Sequence, residues 1–102
     1  MYEIIHTRMQ EKFTRWDPVD HLVSEADQMA YLNASLEEDP GDGSLIRAAL
    51  GDIARARGMS RVSRAAGISR EGLYRALSVD GNPEFATVMR VMRALGLHLR
   101  AT

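Results

Sequence analysis

The stretch MSRVSRAAGISREGLYRAL, residues Met59–Leu77, decides the fold because it predicts two short helices that meet at Gly67. Gly67 has no Cβ and can take the left-handed conformation that ends one helix and turns the chain toward the next. Ser60 and Ser69 are expected to cap the two helices. The pattern is typical of a helix-turn-helix, whose second helix enters the major groove of DNA.

The apolar positions of this stretch predict which helix faces meet. Ile68 is expected to close the corner, and Leu73 and Leu77, four residues apart, to face the first helix. The first helix is expected to turn small or apolar side chains inward: Val62, Ser63, Ala65 and Ala66. The outer face of the second helix then carries the side chains expected at base edges and phosphates: Arg70, Glu71, Tyr74 and Arg75.

Two features of this stretch admit alternatives. A generic helical hairpin would also carry arginines on a solvated face, but the small residue, glycine turn, serine cap and apolar lock at fixed offsets favour the helix-turn-helix. Gly72 lies inside the second helix, where glycine costs about 1 kcal/mol relative to alanine. Either the helix tolerates it, or bare backbone is needed near a phosphate or base.

Length and composition indicate one globular domain. The chain has 102 residues, 45% of them hydrophobic and 26% charged. The lack of cysteine excludes disulfides and thiolate metal sites, and the longest apolar runs are too short for a membrane span. The first residues lack the pattern of a secretory signal, so we expect a cytoplasmic protein.

Charge is distributed unevenly along the chain. Residues 1–42 carry three basic and ten acidic side chains, a net charge of −7, and residues 43–102 carry ten basic and four acidic ones, a net charge of +6. This asymmetry indicates that the basic part binds a polyanion and the acidic part a basic protein. The alternative is that the two parts neutralise each other within one fold.

The segment before residue 43 predicts a short turn and one longer helix. Asp17 and Pro18 favour a helical turn through residues 19–23, and Ser24 with Asp27 predicts a capping box. The longer helix is expected to end near residue 38 and to bury a stripe at i, i+3 and i+7: Met29, Leu32 and Leu36.

Two more helices are expected on either side of the central pair. After the breaker at residues 39–43, a helix from about Ser44 to Gly58 has an apolar face formed by Ile46, Ala49, Leu50 and Ile53. The last helix is expected to start with Asn82 as cap and Pro83 as first residue, and to end at Gly96. Its buried face is predicted to comprise Phe85, Val88, Met92 and Leu95, with Met89 also in the core.

The two ends of the chain have the sequence pattern of short strands. Residues 97–102 alternate apolar and polar side chains as a short strand does, and residues 2–7 are rich in strand-forming residues. Such a strand needs a partner, either within the chain or in a second copy. Residues 1–15 are otherwise interpreted as an N-terminal extension of the domain at residues 16–102.

No pattern supports catalysis or a cofactor. His6, His21 and His98 are scattered and lack metal-ligand spacing, and the chain has neither a nucleophile elbow nor a phosphate-binding glycine loop. We expect no enzyme activity, no metal and no small-molecule substrate. Trp16, the only tryptophan, is expected either in the core or as an interface anchor.

Several segments in order resemble the addiction-module antidote proteins, small antitoxins akin to the HigA-like type. They are WDP at 16–18, YLNASLEE at 31–38, AALGDIARARG at 48–58, GISREGLYRAL at 67–77, GNPEF at 81–85 and RALGL at 93–97. The resemblance covers roughly residues 16–99. It implies an all-α bundle of five to six helices with the helix-turn-helix of phage-type (lambda-type) repressors.

The resemblance also implies a function. Such an antitoxin neutralises a RelE/ParE-like toxin encoded beside it and represses their shared operon by binding operator double-stranded DNA as a homodimer. The positions expected at the DNA are Arg61, Ser69, Arg70, Glu71, Tyr74 and Arg75. Toxins of this type are typically basic, so the acidic segment is expected to meet the toxin through Trp16, Tyr31, Glu37, Glu38 and Asp39.

Two other functions fit the same residues. A free-standing prophage-type repressor would share the DNA chemistry but have no toxin partner. A protein-binding adaptor with a vestigial helix-turn-helix would bind DNA weakly, with little change when Arg70 is mutated.

Overall fold

The computed structural model describes residues 17–98 and residue 100, which form an all-helical bundle. Its elements are a 3-10 helix at Pro18–His21, α1 at Glu25–Glu38, α2 at Ser44–Arg57, α3 at Met59–Ala66, α4 at Arg70–Ala76 and α5 at Phe85–Ala94. None of these helices is long and apolar enough to cross a membrane.

The terminal strand that the sequence predicts is absent from the described residues, because Leu97, His98 and Arg100 lie outside any strand. The rest of that segment, its predicted partner at residues 2–7, the predicted extension at residues 1–15 and Trp16 lie outside the described residues.

Helix α2 organises the core. It packs against the 3-10 helix, α1 and α3, while α3 also packs against α4 and α5. The predicted inner face of α2 is confirmed, since Ala49, Leu50 and Ile53 are buried and Ile46 packs against them. The core is completed by fully buried side chains from the later elements: Leu73, Val91 and Leu95.

The predicted buried stripe of α1 was wrong at two of its three positions. Leu32 is buried, but Met29 and Leu36 are 48% and 39% exposed. Gln28 is buried instead: its Nε2 donates to the Leu22 carbonyl oxygen at 3.1 Å, and its Oε1 accepts from Arg57 Nε at 2.8 Å. Because both ends of the amide are hydrogen-bonded, its burial is tolerated, and α1 turns a polar side chain toward the core.

Helix α5 begins later than the sequence predicts. Glu84 occupies the N-cap position and α5 starts at Phe85, so the prediction of Asn82 and Pro83 as cap and first residue was wrong. Phe85 is 71% exposed and Met89 37% exposed, although the sequence placed both in the core. The other predicted positions hold: Val88 packs against the core, Met92 and Leu95 are buried, and Gly96, with φ +69°, follows the helix.

The connection between α1 and α2 is organised by one carboxylate. Asp39 accepts hydrogen bonds from the amides of Gly41 and Gly43 at 2.8 Å and of Leu45 at 2.9 Å. These amides are at the breaker and in the first turn of α2, so Asp39 determines where α2 begins. The Ser24–Asp27 capping box at the start of α1 is also present, with both hydrogen bonds at 3.1 Å.

This role of Asp39 predicts a pH dependence. Partial desolvation raises the pKa of Asp39, but hydrogen bonds from the Gly43, Gly41 and Leu45 amides outweigh it and hold the pKa below its ordinary 3.8. The pKa of Asp39 is therefore lower in the folded protein than in the unfolded chain. Its carboxylate stabilises the fold at pH values above the unfolded pKa, and this stabilisation is lost as the pH falls through the folded pKa. Asp39→Asn should therefore flatten the fall of Tm below about pH 4, measured by circular dichroism.

The matched control is Glu38→Gln, which changes an exposed carboxylate outside this turn and should keep the wild-type slope. Equal slopes for the wild type and Asp39→Asn would contradict this role of Asp39.

Candidate nucleic-acid interface

Helices α3 and α4 meet at the turn that the sequence predicts. Gly67 has φ +71° and ψ 32°, in the left-handed region, and ends α3. The Ile68 amide donates to the Ser63 carbonyl oxygen at 3.0 Å and closes the turn. Ser69 follows in extended conformation, and its Oγ accepts from the Gly72 amide at 3.0 Å. The two helices are therefore joined by a three-residue turn whose geometry Gly67 and Ser69 determine.

The start of α3 differs from the prediction. Ser60 is not the cap: α3 begins at Met59, and Gly58, with φ +101°, occupies the N-cap position without a side-chain hydrogen bond. Gly58 ends α2 as well, so the two helices share this single residue and no room remains for a serine cap. As a result Met59 is buried and Ala65 is exposed, whereas Val62, Ser63 and Ala66 are buried as predicted.

The inner face of α4 is fixed by packing. Leu73 is fully buried and Leu77 nearly so, and Ile68 packs against the core at the corner. A Cβ at Gly51 of α2 would lie 3.4 Å from the Leu77 carbonyl oxygen, so α2 and the end of α4 approach closely. This packing determines which side of α4 faces solvent.

Gly72 has a local packing role that neither sequence interpretation considered. A Cβ at this position would lie 3.0 Å from Ser69 Oγ and 3.2 Å from Ile68 Cγ2. Glycine therefore leaves room for the serine cap and for the residue that closes the corner.

The outer face of α4 is solvent-exposed, as predicted. Arg70, Glu71, Tyr74 and Arg75 are all exposed, together with Ser69 at the cap and Arg61 on α3. The Arg70 guanidinium lies over the Tyr74 ring, with Cζ 5.6 Å from the ring centroid and Nη2 3.5 Å from the hydroxyl. This is a cation–π contact within one helical turn, which holds the Arg70 cation along the outer face.

The arginines of α3 and α4 are exposed. Both ion pairs among the described residues are made by Arg55, with Asp17 at 3.3 Å and Asp52 at 2.7 Å. The arginines of the two helices therefore have no carboxylate partner in this part of the chain: Arg61, Arg64, Arg70 and Arg75. Glu71 and Arg75, one turn apart, form no pair either.

The loop after α4 is held by contacts that sequence reasoning missed. Arg47 of α2 donates from Nε to the Ser78 carbonyl oxygen and from Nη2 to that of Val79, both at 2.8 Å. A Cβ at Gly81 would lie 2.7 Å from the Arg75 carbonyl oxygen and closer still to that of Ala76. The loop is therefore pressed against the C-terminus of α4. The sequence carries no local signal for this contact, because Arg47 is about thirty residues away.

Comparison with known proteins places this chain in a family. The family model described as "Probable addiction module antidote protein" matches residues 12–102. The chain belongs to this antidote family. A curated protein of Haemophilus influenzae, described as an uncharacterized protein, is 56% identical over 92 residues, which cover 90% of this chain and 93% of that protein. No solved structure matches the chain.

Four of the residues that the sequence assigned to a toxin lie within the described part of the antidote. Glu37 and Glu38 are exposed at the end of α1, and Asp39 holds the turn that follows. The Tyr31 hydroxyl donates to Asp52 Oδ2 at 2.6 Å, and burial, with this hydrogen bond, raises the Tyr31 pKa well above its ordinary value. Tyr31 thus joins α1 to α2, and its role toward a partner stays a prediction.

The described residues of the antidote contain no group of three or more His, Cys, Asp or Glu side chains that could hold a metal ion.

Replacing each of the two serines of the antidote's helix pair by alanine should affect stability differently. Ser69→Ala removes the acceptor of the Gly72 amide and should destabilise the fold by about 1 kcal/mol, measured by urea unfolding. Ser60→Ala is the matched control and should leave stability within about 0.5 kcal/mol of the wild type, because no cap depends on Ser60. Equal losses for the two variants would contradict the assigned caps.

Proposed function

We propose that this antidote is the antitoxin of a type II toxin-antitoxin module, which binds operator double-stranded DNA through α3 and α4 as a homodimer. In this proposal it neutralises a RelE/ParE-like toxin and represses the operon that encodes both proteins. The observation that supports the DNA assignment is the set of exposed arginines on α3 and α4 that have no carboxylate partner among the described residues.

Each residue at the interface has a distinct role in the proposal. Arg70 or Arg75 makes a bidentate contact to guanine, which is worth about 1–3 kcal/mol of discrimination. Glu71 accepts from cytosine, and Ser69 and Tyr74 contact the backbone or bases beside it. Arg61 on α3 contacts phosphate and adds to the salt-dependent part of the affinity.

The homodimer follows from the symmetry of operators. Two copies related by a two-fold axis place their α4 helices about 34 Å apart, facing successive major grooves. A single seven-residue helix reads few base pairs, so pairing is needed for operator specificity.

The toxin partner is supported by the family and by charge. An antidote acts on a toxin, and the acidic part of the chain suits a basic one. The proposal needs no cofactor and no small-molecule substrate, and it places the protein in the cytoplasm, where operator DNA is found.

The test is fluorescence anisotropy with a labelled duplex from the region upstream of the antidote's own gene, and with a scrambled duplex, at two salt concentrations. The wild type should prefer the upstream duplex, and Arg70→Ala should reduce this preference by about tenfold or more. The matched control is Arg90→Ala, which removes one exposed arginine from α5, outside the helix pair, and should keep the preference.

Weak binding to both duplexes, unchanged by Arg70→Ala, would contradict the DNA assignment and favour the adaptor. Equal loss of preference in Arg70→Ala and Arg90→Ala would contradict the assignment of α4 as the helix that reads bases.

A further inference from the structure

Helix α1 presents exposed apolar side chains that the proposed DNA interface does not use. Met29 and Leu36 are 48% and 39% exposed although both are large and apolar. They are seven residues apart on α1 and therefore lie on the same side of the helix, about 10 Å apart along its axis. We call this pair the Met29–Leu36 ridge.

Neither side chain of the ridge is needed for the core. The inward positions of α1 are taken by Leu32, by the hydrogen-bonded Gln28 and by Tyr31. The exposed residues beside the ridge are short and therefore do not cover it: Ala26, Ala30, Asn33 and Ala34. The ridge thus leaves two apolar side chains partly open to solvent on one side of α1.

The acidic residues around the ridge favour a basic partner. Residues 17–42 contain eight acidic side chains and no Lys or Arg, whereas residues 43–102 contain ten Arg and four acidic side chains. Four of the eight acids already have partners. Asp17 pairs with Arg55, and Asp27 accepts from the Ser24 amide. Asp39 accepts from the amides of its turn, and Asp42 accepts from the Ser44 amide. The remaining acids are exposed, and three of them lie on α1: Glu25, Glu37 and Glu38.

These carboxylates flank the ridge at both ends, because Glu25 is one turn before Met29 and Glu37 follows Leu36. An apolar centre with a charged rim is the usual anatomy of a protein interface, and this rim repels nucleic acid and attracts a basic protein.

We infer that the Met29–Leu36 ridge is the apolar anchor on which a basic partner protein docks, with Glu25, Glu37 and Glu38 as its charged rim. The inference rests on the proposed function, in which that partner is the toxin of the module. It moves the anchor from Tyr31, whose hydroxyl is bonded to Asp52, to side chains that face solvent.

The test measures binding of the full-length antidote to the purified protein encoded by the reading frame beside its gene. The main variant is Met29→Gln with Leu36→Gln, since glutamine keeps the length and helix propensity of both positions. Loss of two interface anchors should weaken binding about thirtyfold or more. The matched control, Val79→Gln, removes an 88% exposed apolar side chain from the loop after α4 and should change binding less than about threefold.

The rim is tested separately by Glu37→Lys with Glu38→Lys, which should slow association and weaken its dependence on salt. The glutamine variant and Val79→Gln should retain the wild-type melting temperature and affinity for the upstream duplex, because the changed residues are exposed, uncharged and outside α3 and α4.

Two results would overturn the inference, and they are distinguishable. If the wild type binds the neighbouring protein and the glutamine variant binds it equally well, the docking surface lies elsewhere while the antitoxin function stands. If the wild type itself does not bind that protein, toxin neutralisation by this pair fails and the inference fails with it.

Discussion

The hydrogen bond from the Ile68 amide to the Ser63 carbonyl oxygen closes a three-residue turn, and the direction of α4 depends on it. The positive φ of Gly67 allows this hydrogen bond to form, and Ser69 then caps the next helix. Buried Leu73 holds the inner side of α4 on the core. Because this side packs on the core, the opposite side of α4 carries Arg70 and Arg75 into solvent.

The described helices also differ in charge. The arginines of α3 and α4 have no carboxylate partners in the described chain, although acidic residues outnumber basic ones overall. Within the described residues, Arg55 pairs with Asp17 and Asp52 and so ties the start of the 3-10 helix to α2. The result is a basic helix pair and an acidic first helix, two surfaces suited to partners of opposite charge.

Local signals predicted the elements well. Glycines with positive φ, such as Gly67 and Gly96, and the serine cap at Ser69 act within a few residues, so the sequence shows them directly. The antidote family could also be recognised from its motifs. The exposure of the α4 side chains followed from the apolar spacing of Leu73 and Leu77.

The errors arose where distant residues decide the outcome. Gln28 is buried because Leu22 and Arg57 satisfy its amide, and neither partner is predictable from helical spacing. The start of α3 depends on the single residue that it shares with α2. The exposed ridge on α1 accompanies the first of these, because Gln28 and Leu32 take the buried positions and Met29 is left 48% exposed.

The most direct test of the account is an NMR titration of the ¹⁵N-labelled protein with the upstream duplex. The account predicts that the largest amide shift changes fall in the turn and in α4, at Ser69, Gly72 and Arg75, while the amides of α1 from Met29 to Leu36 stay in place. Largest changes on α1, with α4 unaffected, would contradict it.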